Sequence, residues 1–305
     1  MARLMRRSEC KGQSMTAAWR SIADLFSNDG EVAFLGAPLE AGSVTPGRCD
    51  LAPDTLRRAL GRFSTYDIET GREIELALRD LGDVPVQGLM PAEAFTPIRW
   101  AAEKAVDRHA LTLLIGGNNA VTRPAAHALG VPLDKVGLIT LDAHFDLRET
   151  DEGPRNGNPI RCLLEDGLPG RNICQIGLAP FANTAKMHDD ARKARIAAFS
   201  INRCMESGIM PVLGLALTRL EHCDALMVDF DIDVIDRAQL PGAPGARPGG
   251  MPNSIFFAAA RRLASHPKVK LVDLTEFDPS LDVSDISALT AARWVCEILA
   301  GYSQR

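Results

Sequence analysis

The 305-residue sequence predicts one α/β domain of three layers, α/β/α, around a mainly parallel central sheet. Short apolar runs alternate with longer segments of helical periodicity, the order that lays parallel strands between covering helices. No linker, internal repeat or low-complexity tract divides the chain, and its length can bury one sizeable core. Two of the apolar runs end in closely spaced acidic residues, and open parallel sheets bind ligands beyond the carboxyl ends of their strands.

Met1 to Lys11 is basic but lacks the apolar stretch of a secretory signal. Residues 1–25 read as a disordered leader, with Met15 as an alternative start, and residues 26–305 as the single folded domain. The first strand is Val32 to Leu35, and a helix is predicted over 54–62. A helix over 92–109 then feeds the strand Leu111 to Ile115, and a helix over 120–129 precedes the strand Val136 to Leu141. Ile173 to Gly177 is a strand followed by a helix over 182–197. Ala225 to Asp233 and Val269 to Phe277 complete the strands, with helices over 254–265 and 285–300. Uninterrupted apolar runs such as Ala225-Leu226-Met227-Val228 are what strands buried on both faces require.

A net charge of −5 and the absence of clustered basic and aromatic residues argue against nucleic-acid binding. No apolar run reaches the roughly 20 residues of a membrane span. The seven cysteines are scattered, odd in number and without a Cys-x-x-Cys pair, which points to a reduced, cytoplasmic setting rather than a disulfide framework.

Asp142-Ala143-His144-Phe145-Asp146 and Asp229-Phe230-Asp231-Ile232-Asp233 carry the chemistry. On extended strand ends, 142, 144 and 146 would project together, as would 229, 231 and 233, while Phe145, Phe230, Ile232 and Val234 face the core. Five carboxylates and an imidazole in one cleft would repel unless divalent cations lay between them. Oxygen ligands with one nitrogen suit Mn²⁺ better than a structural Zn²⁺. An EF-hand calcium loop is excluded, because its sixth and twelfth positions would be Val234 and Leu240 rather than glycine and glutamate. The Pro/Gly stretch from Pro241 to Gly250 follows the second motif and reads as a site loop.

These motifs resemble the ureohydrolase family of arginases, agmatinases and formimidoylglutamases, from about residue 32 to 282. Gly36-Ala37-Pro38, Pro46-Gly47-Arg48 and Leu81-Gly82-Asp83-Val84 are similar to its N-terminal signatures. Asp142, His144 and Asp146 match its Asp-Ala-His-x-Asp motif, Asp231 and Asp233 its second Asp-x-Asp, and Glu276-Phe277-Asp278-Pro279 its late Glu-x-x-Pro. The resemblance implies two Mn²⁺ ions, one held by Asn119, Asp142, Asp146 and Asp231, the other by Asp142, His144, Asp231 and Asp233. Asn119 stands in Gly116-Gly117-Asn118-Asn119 where the family usually has a histidine, so its ion is expected to bind more weakly. Asp229 replaces a common serine, and Arg247 a frequent glutamate.

Within the family, Asp142 to Arg148 with Asn156-Gly157-Asn158-Pro159-Ile160-Arg161 looks most like formimidoylglutamase, whose loop reads Ser-Gly-Thr-Pro-Phe-Arg; arginases carry a catalytic histidine there. The implied reaction is hydrolysis of N-formimidoyl-L-glutamate to L-glutamate and formamide, as in histidine degradation. Glu276 would hold the amidine, Asp146 would carry the proton to the leaving amine, and Asn158, Arg161 and Arg247 would meet the substrate. A guanidino hydrolase and a non-catalytic binding protein with one weak or lost metal are the alternatives. The family also implies a homo-oligomer.

Overall fold

A computed structural model describes residues 19–305. Ten strands are present among them: β1 Val32–Ala37, β2 Tyr66–Asp67, β3 Arg72–Glu73, β4 Leu78–Asp83, β5 Leu111–Gly116, β6 Val136–Leu141, β7 Ile173–Leu178, β8 Ala197–Ser200, β9 Ala225–Asp231 and β10 Val269–Thr275. The helices are α1 Ala52–Ala59, α2 Pro91–Arg108, α3 Thr122–Ala126, α4 Pro159–Glu165, α5 Ala185–Ala194, α6 Ile201–Ser207, α7 Ile209–Arg219, α8 Asn253–Ala264 and α9 Ile286–Tyr302. Eight strands form one sheet in the order β4-β1-β5-β10-β9-β6-β7-β8, and every pairing in it is parallel. β2 and β3 form a separate antiparallel pair.

The interior strands β1, β5, β6, β7 and β9 are buried at every residue, as their unbroken apolar runs require. Their side chains feed two cores, one on each face of the sheet. On one face α1 and α6 to α9 cover Phe34, Ile139, Val228 and Val272. Phe230 there meets Phe256 and Trp294 edge-on, at centroid distances of 5.5 and 5.3 Å, the arrangement that ring quadrupoles favour. On the other face α2 to α5 cover Leu114, Leu138, Met227 and Leu271.

The differences from expectation lie at edges and ends. β4 and β8 border the sheet and are partly exposed, so neither carries an unbroken apolar run. Helices α4 and α6 are short, and α6 breaks from α7 at Gly208, whose φ of 76° suits glycine. Residues 1–18 of the expected leader lie outside the described residues. Beyond them, Ile22 and Leu25 are buried in a 3-10 turn and Ser21 bridges to Ser64, so the packed chain begins before residue 26.

Candidate metal centre

The four central strands β5, β10, β9 and β6 end side by side, and the segments leaving them build the site. The expected simple alternation does not hold there. β6 stops at Leu141, so Asp142 to Asp146 is a loop, and Asp146 has a φ of 53°. β9 stops at Asp231, and Ile232–Val234 is a 3-10 turn capped by the Asp231 carboxylate, which accepts the Asp233 N–H at 2.9 Å. β10 stops at Thr275 because Glu276 has a φ of 61°. Left-handed backbone at a non-glycine residue costs about 1–3 kcal/mol and persists where function holds it. Leaving the extended conformation lets both motifs curl inward, so that carboxylates from different strands converge.

Asp142, His144 and Asp233 form one cluster, and Asp142, Asp146 and Asp231 another, the ligand atoms of each lying within 4.8 Å of one another. Asp142 is common to both, as the ligand between two ions would be. All four aspartates are buried, and Asp142 Oδ2 has no hydrogen-bond partner among the described residues. Gly245 closes over the first cluster, where a Cβ would overlap Asp233 Oδ2. Asn183 fixes the first motif from outside: its Oδ1 accepts the Phe145 N–H at 2.8 Å and its Nδ2 donates to the Ala143 carbonyl at 2.9 Å.

The electrostatics are those of a cation site. Burial pushes the Asp142 carboxyl up to about 6 and Glu276 to about 7, and holds Asp146 and Asp231 well above the usual carboxylate range. His144, with Nδ1 3.0 Å from Asp233 Oδ2, is pushed up to about 12 chiefly by that carboxylate. Burial also acts to raise Asp233, but His144 outweighs it and the net shift is downward. Until a cation binds, the protonated imidazole is the counter-charge; a cation must displace its proton. Hard oxygen donors, one imidazole and an unpartnered buried carboxylate oxygen fit divalent Mn²⁺.

Asn119 is buried beside the second cluster, its Nδ2 donating to Asp146 Oδ2 at 2.7 Å and its Oδ1 accepting from the Thr122 hydroxyl at 2.6 Å. For its oxygen to ligate an ion, the amide must turn over. Thr122 permits this: it can accept from Nδ2 and give its own proton to Asp273 Oδ2, 3.0 Å away. Replacing a turned amide by imidazole, Asn119→His, should tighten the weaker ion by about tenfold. Calorimetric titration of metal-stripped protein with Mn²⁺ measures this; two equally tight ions in the natural protein, unchanged in the variant, would refute the weak site.

A cavity opens beside the clusters, lined by the buried Asp146, Asp231, Asp233 and Glu276, the half-buried His144, Asn156 and Gly157, and the exposed Val44, Arg148 and Arg247. Arg247 donates to the Gly245 carbonyl at 2.7 Å. Two expected substrate contacts do not reach the cavity and are corrected. Asn158 turns into its own loop, accepting from the Arg155 N–H and donating to the carbonyls of Glu149 and Gly153. Arg161 pairs with Asp190 at 2.6 Å and donates to the Leu147 carbonyl, because α4 carries it outward toward α5. The residues of this loop that do reach it, Arg148, Asn156 and Gly157, lie a few positions earlier. Their only signal in the sequence was position: Arg148 two residues after Asp146, Asn156 two before Asn158. His109 and His127 bond to the Gly30 carbonyl and Asp166, away from the site as expected.

Residues 30–301 match the model of the arginase family. The chain belongs to the arginase family. It is 30% identical over 273 residues to a formimidoylglutamase of Halalkalibacterium halodurans, covering 88% of this chain and 86% of that one. The solved formimidoylglutamase of Bacillus subtilis superposes with a TM-score of 0.88 at 27% identity, covering 97% of this chain and 96% of that one. A Trypanosoma cruzi formiminoglutamase solved with two Mn²⁺ shares the fold with a TM-score of 0.86 at 23% identity, covering 93% and 99%. This arginase-family chain thus has the family's parallel eight-stranded sheet and candidate Asp and His groups for its metals. No helix among the described residues is long and apolar enough to cross a membrane.

Proposed function

We propose that this chain hydrolyses N-formimidoyl-L-glutamate to L-glutamate and formamide, with two Mn²⁺ ions held by Asp142, His144, Asp146, Asp231, Asp233 and Asn119. The observation that carries the reading is one cavity lined by the buried Glu276 and by two exposed arginines, Arg148 and Arg247. A substrate with a cationic amidine at one end and carboxylates at the other matches that polarity. Guanidinium forks pair with carboxylates bidentately.

Bound cations would offset the buried carboxylates and supply a water nucleophilic near neutral pH. Glu276 accepts hydrogen bonds from the amidinium and so orients the formimidoyl carbon above the clusters. Water's oxygen joins that carbon, the bond to the amino acid's nitrogen breaks, and formamide and glutamate leave. The departing nitrogen needs a proton, and Asp146, which lines the cavity, delivers it.

Arg148→Ala and Arg247→Ala should each raise KM for N-formimidoyl-L-glutamate by about tenfold, the worth of one charged hydrogen bond, with kcat less affected. Arg161→Ala should change KM less than either. A panel of formimidoylglutamate, agmatine, arginine and guanidinobutyrate on Mn²⁺-loaded protein tests the assignment. Turnover confined to agmatine or guanidinobutyrate overturns it, and no turnover of any of them favours a binding protein.

A further inference from the structure

Asn119 and Thr122 stand three residues apart across the 3-10 turn Asn119–Val121, so their side chains lie along one edge of it. The Asn119 backbone is held in place, its N–H donating to Glu276 Oε1 at 2.7 Å. Only the amide can turn. On one side its Nδ2 donates to Asp146 Oδ2 at 2.7 Å; on the other its Oδ1 accepts from the hydroxyl of Thr122 at 2.6 Å and from that of Thr275 at 3.4 Å. The Thr122 oxygen also lies 3.0 Å from Asp273 Oδ2 on β10. Asn119, Thr122, Asp146, Asp273 and Thr275 are all buried, so their hydrogen bonds must be made with one another.

A hydroxyl carries one proton, and that of Thr122 lies between two acceptors, the amide oxygen and the Asp273 carboxylate. It can serve only one of them. With Oδ1 toward Thr122, the amide takes the proton and the bond to Asp273 is not made. With Nδ2 toward Thr122, the hydroxyl accepts from the amide and gives its proton to Asp273. One more hydrogen bond then forms, and it runs to a carboxylate, the stronger kind. The same turn aims the amide oxygen at Asp146 Oδ2, where two acceptors repel unless a cation lies between them. We infer that Thr122 is a positioning residue for the expected weaker ion: backed by Asp273, its hydroxyl favours the amide turned with its oxygen toward Asp146, so that Asn119 ligates a cation at a gain of one hydrogen bond. The inference rests on the proposed ligand set, in which Asn119 and Asp146 share an ion. An asparagine without this backing would offer its NH₂ as readily as its oxygen. Asp273 also faces Asp229 across β10 and β9, and its Oδ1 and both Asp229 oxygens have no partner among the described residues. A proton shared by those two carboxyls thus has places to sit other than Oδ2.

Calorimetric titration of the metal-stripped protein with Mn²⁺ reads the affinity of each ion separately. Thr122→Val keeps the side chain's shape and removes the hydroxyl; it should weaken the weaker ion by about tenfold, the worth of one charged hydrogen bond, and leave the tighter one unchanged. Thr122→Ser keeps the hydroxyl and should keep the affinity. Asn119→Ala should weaken the same ion, and Thr122→Val added to it should cost nothing further, because no amide is left to turn. A merely structural role for Thr122 would lower the affinity by the same factor in both backgrounds, and that result overturns the inference. An unchanged weaker ion in Thr122→Val overturns it as well, as does a loss in Thr122→Ser equal to that in Thr122→Val. If Thr122→Val does not fold, Thr122→Ala against Thr122→Ser decides. The ligand set fails separately: Asn119→Ala with both ions as tight as in the natural protein removes the amide from the site, and the inference with it. Absence of the Thr122 effect alone leaves the two-ion reading standing, and the proposed hydrolysis is judged by turnover, which none of these titrations uses.

Discussion

Asp142→Ala should abolish hydrolysis, lowering kcat/KM by about a thousandfold or more, while the protein stays folded. Among the described residues Asp142 alone is common to both carboxylate clusters, so its loss would leave neither proposed ion a full set of ligands. Metal analysis of the purified variant should find fewer than two Mn²⁺ per chain even after reloading. The fold should survive because the substitution removes a buried carboxylate from a crowd of like charges. Asp231→Ala is expected to act in the same direction. Near-natural turnover with two bound Mn²⁺ in Asp142→Ala would sink the two-ion reading.

The metal-stripped protein should lose stability as pH rises from 5 to 8. Burial holds the Asp142 carboxyl at about 6 and those of Asp273 and Glu276 at about 7, against ordinary values of 3.8 and 4.5. A carboxyl raised on folding keeps its proton in the folded chain after the unfolded chain has lost it. Its stabilising contribution is therefore complete below the unfolded value and disappears as pH climbs through the folded one. His144, raised to about 12, acts in the same sense above its ordinary 6.5. Asp233, lowered, acts in the opposite sense but below 3.8, outside the window. Over these three carboxyls the loss is on the order of several kcal/mol, or roughly 5 °C or more in Tm. Mn²⁺ favours the ionised forms and should flatten or reverse the slope. Thermal unfolding in a chelator between pH 5 and 8 measures it, and a melting temperature that rises with pH would contradict the burial argument.

Much of this was legible in the sequence. The strands buried on both faces announced themselves because unbroken apolar runs have few other uses, and Asp142, His144, Asp146, Asp231 and Asp233 stood at the ends of two of them. Strands β4 and β8 were not legible, since an edge strand needs to satisfy only one neighbour and can be polar. The shape of the site was less readable than its composition. Alternation along an extended strand suggested three ligands on one face, but positive φ at Asp146 and Glu276 and the turn after Asp231 set the actual directions. Such turns depend on tertiary packing that spacing does not encode. The same holds for the loop after Asp146, where Asn158 and Arg161 serve the loop and Asn156 and Arg148 serve the cavity.

The order of strands across the sheet also bears on how the protein is made. β10 follows the other nine strands in the chain, yet it lies between β5 and β9 and is the seam joining β4-β1-β5 to β9-β6-β7-β8. A ribosome that has released only the first nine strands has released two partial sheets with facing unpaired edges, and no Glu276. Long-range parallel pairing of this kind is slow and leaves edges open to other chains. Nascent chains should therefore depend on chaperones until β10 emerges, and the candidate metal centre, whose residues Asn119 and Glu276 lie on one side of the seam and Asp142 and Asp231 on the other, can assemble only after β10 has been made.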